Sequence, residues 1–292
     1  MRLIAAAACL SLFFGAGPAR AASAPPISLP KMGKWRMHYG DDTCQLATLF
    51  GSEKDNVILE LRREQPGDTI DLHLYGKRLR SKDIKVPVEL TFGSNGTPHL
   101  HDGTAMTNGS QKLPMIRLAG LRIDGSADQK HPAADLPPVT PAREAEITTV
   151  AFKVRAGKTY QLETGSMATP LAAMRTCTDD LIKGWGYDPA ARSALTRTPE
   201  PATKPESWIT GEDFPFKALW AGNNGLVRFR IDVDPAGNPD GCKVLYRTNP
   251  DEFADLSCKL LLKRARFKPA LDAQAKPVRW YYINSIRWLS PL

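Results

Sequence analysis

The sequence predicts an α+β protein in two parts: a β-rich N-terminal domain that ends in a helix, then a small domain of order α-β-β-α-β. Three observations carry this. Between residues 35 and 163, apolar and polar residues alternate in short runs, the period of a half-buried strand. Two other runs place apolar residues at helical spacing. Between the parts, Thr198-Pro-Glu-Pro-Ala-Thr-Lys-Pro205 alternates proline with polar residues. A length of 292 residues suits about two domains, and 42% apolar and 24% charged content is that of globular protein.

Residues 1–21 read as a Sec-type signal peptide. Arg2 precedes an uncharged apolar run of 15 residues, Leu3 to Gly17, and Ala19-Arg20-Ala21 is a small-residue cleavage site. The run is shorter than the roughly 20 apolar residues of a membrane span. The expectation is a periplasmic chain starting at Ala22 with no span after signal removal. Residues 22–33 form a Pro-rich lead-in.

Residues 34–187 make the β-rich domain. Strands are expected at Trp35–Tyr39, Cys44–Phe50, Val57–Arg62, Thr69–Tyr75 and Val86–Phe92. Pro87, which lacks an N–H, places the last at a sheet edge or strand start. Residues 93–109 and 124–142 read as loops. Ile147–Lys153 and Thr159–Glu163 read as a closing pair of strands. A helix follows, with Thr169 as N-cap, Pro170 at N1, Leu171, Met174, Cys177 or Thr178, and Leu181 at helical spacing, and Gly184 after the last turn. Residues 188–206 form a linker, whose central eight residues in polyproline II geometry would span roughly 25 Å.

Residues 207–292 make the second domain. Pro215–Ala221 reads as a short helix. Leu226–Val233 puts Val227, Phe229, Ile231 and Val233 on one face, and Arg228, Arg230 and Asp232 on the other. A turn leads to a partner strand, Cys242–Tyr246. Asn249 and Pro250 start a helix whose buried stripe is Phe253, Leu256, Leu260 and Leu261. The last strand runs from Val278 to Trp288. Val278, Trp280, Tyr282, Ile286 and Trp288 share one face; Arg279, Tyr281, Ile283 and Arg287 share the other.

Four cysteines follow the signal: Cys44, Cys177, Cys242 and Cys258. In an exported chain an even number implies disulfides, with three pairings open. Cys44–Cys177 and Cys242–Cys258 keep one bond in each domain, whereas crossed pairs would bridge the linker. Signal removal takes away Arg2 and Arg20 and no acid, so the net charge falls from +8 to +6. The cations are dispersed apart from Lys259, Lys263, Arg264, Arg266 and Lys268, which complement a helix C-terminus. Nucleic acid is therefore not an expected partner.

Several residues of the second domain form a recognisable set: Phe214-Pro215, Gly225 with Val227, Asp232-Val-Asp234 with Gly237, and Arg266-Phe267 with Pro269-Ala270. Over about residues 208–290 the chain resembles the C-terminal domain of TonB. The paired Cys242 and Cys258 resemble an exported bacterial subgroup carrying this module. The resemblance implies a non-catalytic module that binds an extended peptide or an envelope protein through a sheet edge. The family serves TonB-dependent transmembrane transport, but its transducers have a membrane anchor and a long Pro-rich segment. The signal peptide and short linker read here point to binding rather than energy transduction.

The expected binding edge is the last strand, through Arg279, Trp280, Tyr281, Tyr282, Ile283, Asn284 and Ser285. No catalytic residue, cofactor or metal is expected. His99-Leu-His101-Asp102 offers two imidazoles and a carboxylate, but it falls in an expected loop without a fourth ligand. Asp41-Asp42 and Asp179-Asp180 read as solvated pairs, and no nucleophile-elbow motif is present. The alternatives are a hydrolase with its site in the first domain, or an envelope structural protein.

Overall fold

A computed structural model describes residues 24–108, 113–127, 131–248 and 251–290. The expected signal peptide, the cleavage point before Ala22 and the Asn249-Pro250 helix start lie outside these residues. The chain is α+β, with a large β-rich N-terminal region and a C-terminal region of strands and helices. No described helix is long and apolar enough to cross a membrane.

The first region builds one sheet from ten strands: β1 (Ile27–Pro30), β2 (Arg36–Tyr39), β3 (Cys44–Gly51), β4 (Asn56–Arg63), β5 (Thr69–Tyr75), β6 (Lys85–Phe92), β7 (His99–Asn108), β8 (Leu113–Arg122), β9 (Val150–Val154) and β10 (Thr159–Glu163). Their order is β1-β10-β9-β6-β7-β8-β5-β4-β3-β2. Lys31, just past β1, bridges to Phe50 of β3, and the Met32 N–H donates to the Leu49 carbonyl at 2.8 Å. The lead-in therefore joins β10 near one margin to β3 near the other and curls the sheet toward closure.

Two helices belong to this region, α1 (Pro141–Glu146) and α2 (Ala168–Gly184). Alternating residues of the strands, such as Leu59, Leu61, Leu72, Leu74, Val88 and Leu90, bury against Leu171, Met174 and Leu181 of α2. Helix α2 starts before the expected Thr169 cap, with Met167 as N-cap. Cys177 of α2 bonds Cys44 of β3, across a sequence separation of 133 residues.

One expectation about strands is narrowed to one of its alternatives and one is corrected. Pro87 is not on an edge strand, because β6 lies between β7 and β9. It sits near the start of β6, before pairing with β9 begins at Val88, and its carbonyl accepts from the Arg155 N–H at 2.9 Å. The missing N–H forgoes only the reciprocal bond to Arg155, at the point where the β6–β9 ladder ends. The expected loop 93–109 contains strand β7. Its polar sequence shows no alternation, but Gly103 lets neighbouring strands close in. A Cβ there would stand 2.9 Å from Ile116 Cγ2. Packing from other strands overrides local preference here.

The remaining elements are α3 (Pro189–Ala194), β11 (Glu200–Pro201), α4 (Phe216–Trp220), β12 (Gly225–Val233), β13 (Pro239–Arg247), α5 (Glu252–Arg264), β14 (Phe267–Lys268), β15 (Ala270–Leu271), β16 (Pro277–Val278) and β17 (Trp280–Trp288). Strands β13, β12 and β17 form an antiparallel sheet in that order. Helix α5 covers one face. Val227 packs with Phe253 and Leu260, while Phe229, Ile231 and Val233 pack with Leu261. Cys242 and Cys258 tie β13 to α5. At the hairpin, Gly237 has φ +85°, and a Cβ would fall 2.0 Å from the Phe267 carbonyl oxygen, so only glycine fits against the corner after α5.

The stretch 188–206 is not a free polyproline spacer. It contains α3, and β11 pairs with β14. Arg197 bridges to Leu271 and donates from Nε to the Pro269 carbonyl at 3.1 Å. Proline removes donors, but the polar residues between still supply enough backbone groups to dock the segment.

Candidate partner-binding edge

Strand β17 lies at one side of the three-stranded sheet and, among the described residues, pairs with β12 alone. In an antiparallel ladder, alternate residues point their backbone groups to opposite sides. Leu226 fixes the phase. Its carbonyl accepts from the Thr248 N–H at 2.9 Å, and its N–H donates to Thr248 Oγ1 at 2.8 Å. Leu226 therefore faces the β13 side, and Val227, Phe229 and Ile231 face β17. Their partners Ile286, Asn284 and Tyr282 complete the ladder. Tyr281, Ile283, Ser285 and Arg287 direct their N–H and carbonyl groups away from the sheet.

One outward donor is occupied within the strand. The Ser285 N–H donates to Asn284 Oδ1 at 2.8 Å, and Asn284 Nδ2 donates to the Tyr282 hydroxyl at 2.6 Å. Among the described residues, the outward backbone groups of Ile283 and Arg287 meet no partner.

A groove of about 550 Å³ runs beside this edge. Phe229, Leu261 and Ile286 line it on the α5 side, and Trp208 and Phe214 form the facing wall. Trp208 is 2% exposed, stands 5.2 Å from the Phe267 ring, and donates from its indole to Thr203 Oγ1 at 2.7 Å. The wall is pinned by Asp213, which accepts from Arg264 Nη2 at 2.9 Å and from the Thr210 N–H at 2.9 Å. The Arg264 bond holds the Asp213 carboxyl at a pKa of about 2. The sequence reading had no sign of Trp208, whose role depends on the fold of the docked segment.

The seven expected edge residues divide. Arg279 is not in the strand. It lies between β16 and β17 and donates from Nε to Asp240 Oδ2 at 3.0 Å. Trp280 does not share the α5-facing side with Tyr282. Next to that break in the strand, it packs on the Tyr187 ring at 5.1 Å. Tyr281 is buried against Trp185 at 5.5 Å, so its side chain faces the first region. Tyr282, Ile283, Asn284 and Ser285 lie in the regular part of the edge.

The sheet face opposite α5 is covered as well. Arg228 Nε donates to Glu64 Oε2 at 3.0 Å, and the Tyr187 hydroxyl donates to Asp232 Oδ1 at 2.8 Å. The Arg230 guanidinium lies 4.4 Å over the Trp185 ring. Burial, followed by the bond to Asp232, pushes the Tyr187 hydroxyl well above its ordinary pKa. Burial, against the lowering pull of Arg192 and Arg230, also pushes Tyr281 up to about 12. Nearby, burial would raise the Asp71 carboxyl, but the Arg117 guanidinium and the Gly120 N–H hold it lower than usual. These contacts cover the face of the sheet opposite α5 and fix how β17 is presented.

His99 and His101 line a cavity of about 780 Å³ at the rim of the first sheet. Burial, and secondarily His99, lowers the His101 pKa. Among the described residues, no three His, Cys, Asp or Glu side chains come together to hold a metal. His73 is buried in β5, with Nδ1 3.2 Å from the Tyr75 hydroxyl. Its sign in the sequence was the second face of the alternating Thr69–Tyr75 run.

Residues 211–289 match the family described as the Gram-negative bacterial TonB protein C-terminal. The match takes in the three-stranded sheet, α5 and the Phe214 part of the groove wall. Trp208 precedes it. No curated protein and no solved structure matches the chain.

Proposed function

We propose that this chain is a non-catalytic, exported binding protein of the bacterial envelope. Its C-terminal region takes an extended segment of a partner protein as an added strand on β17, in a role tied to TonB-dependent transmembrane transport. The observation that carries this reading is the open backbone at Ile283 and Arg287 beside an apolar groove. Main-chain hydrogen bonds would supply affinity, and the groove would receive alternate side chains of the added strand. The family match over residues 211–289 supports an envelope module of this type. Two disulfides suit the periplasm.

A photo-crosslinker at Ser285 should capture a discrete envelope protein in living cells. Arg287→Pro should abolish that capture. Arg287 opposes Leu226, whose backbone faces away from β17, so proline there breaks no bond to β12. Circular dichroism and the melting temperature should stay close to wild type. A folded Arg287→Pro chain that still captures the same protein would overturn the proposal.

A further inference from the structure

Residues 77–85, Lys-Arg-Leu-Arg-Ser-Lys-Asp-Ile-Lys, carry five cations against one carboxylate. The fold sets this segment against the β9–β10 turn, which bears Arg155 and Lys158. Arg78, Arg80, Lys82, Arg155 and Lys158 line one shallow hollow of about 440 Å³. Arg155 pairs with Asp83, and Arg78 pairs with Asp55. Arg80, Lys82 and Lys158 have no ion-pair partner among the described residues. Ile84 lines a neighbouring hollow with Arg80 and Lys82 and is 71% exposed. Its backbone is held, because its carbonyl accepts from the Ala105 N–H at 2.7 Å.

The chain enters the fold at the same place. Ile27 of β1 lines an adjoining hollow with Arg78, Lys158 and Tyr160. We propose that this face of the N-terminal region docks on an anionic lipid bilayer, with Arg80, Lys82 and Lys158 against headgroup phosphates and Ile84 in the interface. Unpaired cations beside one held, exposed apolar side chain suit a charged surface with an apolar layer beneath it. It is independent of the reading of β17.

The test uses the chain from Ala22, which keeps every described residue. Sedimentation with vesicles of phosphatidylcholine containing about 30% phosphatidylglycerol should show binding that neutral vesicles do not. Replacing Arg80→Gln, Lys82→Gln and Lys158→Gln together should weaken binding on the order of a hundredfold, about fivefold for each cation. The matched set Lys259→Gln, Lys263→Gln and Lys268→Gln should leave it nearly unchanged, which separates this face from net charge. Ile84→Ser should weaken it with no change in charge, circular dichroism confirming the fold of each variant. Equal binding to neutral vesicles, or retention by the first triple variant, would overturn the proposal. So would full competition by inorganic phosphate with no effect of Ile84→Ser, which would mark a site for a soluble anion.

Discussion

The two edges of the three-stranded sheet are built differently. Strand β13 starts at a proline, and its pairing with β12 skips Asp240 and Leu245. It is bonded to α5 through Cys242–Cys258, and the Lys243 ammonium stands 3.6 Å from Asp42 of the first region. Tyr246 lies under Arg62 at 5.8 Å. Strand β17 makes nine uninterrupted pairs with β12, from Trp288 at Gly225 to Trp280 at Val233. Bulges and covering groups are the usual devices that keep an edge from pairing with other chains. The fold applies them to β13 and leaves β17 regular. Only Asn284, capping the Ser285 N–H, blunts it. The difference makes β17 the edge suited to a partner strand.

The comparison can be broken by loosening one side at a time. The largest expected effect is on the framework. Replacing Cys44 and Cys177 together by serine opens the 133-residue separation, which on the chain-entropy model costs about 5 kcal/mol. Replacing Cys242 and Cys258 costs about 3 kcal/mol by the same model. Denaturant unfolding checks both. Partner capture should survive the second pair if the chain stays folded, because that bond braces the β13 edge and not β17.

Trp208→Ala attacks the groove from outside the family-matching residues. A buried aromatic truncated to alanine costs about 3–5 kcal/mol, and the wall facing Tyr282 is lost. Capture should weaken in the portion of the chain that calorimetry shows still folded. If capture in that portion is unchanged, the groove has no part in binding.

A smaller effect concerns pH. The Asp213 carboxyl has a folded pKa of about 2, below its unfolded value of about 4. A lowered folded pKa contributes stability above the unfolded value, and that contribution is lost as pH falls through the folded one. The wall should therefore loosen between about pH 4 and pH 2. Asp213→Asn should already be destabilised at neutral pH and should show a shallower fall in melting temperature over that window.

Much of this was legible in the sequence, where one element decides its own neighbours. The alternation of Thr69–Tyr75 appears as the buried Ile70, Leu72 and Leu74. The stripe through Phe253, Leu260 and Leu261 appears as the face of α5 on the sheet. The two cysteine pairs could be read because each joins segments on one side of the Pro-rich stretch. What escaped depends on distant partners. Strand β7 is held by Gly103 under Ile116. Arg228, Arg230 and Asp232 can be placed on one strand face from the alternation, but not their distant partners Glu64, Trp185 and Tyr187. The open groups at the β17 edge follow from the phase of the ladder, which Thr248 sets and residue pattern alone does not reveal.

Amide hydrogen exchange along β17, followed by NMR on the free chain, tests the central claim most directly. The amides of Tyr282, Asn284 and Ile286, bonded to β12, should exchange slowly. Those of Ile283 and Arg287 should exchange fast, with Ser285 between them because of the Asn284 cap, and Asn284→Ala should bring Ser285 to the fast class. Slow exchange at every residue from Tyr282 to Arg287 would mean that the edge is already covered, and would contradict the account.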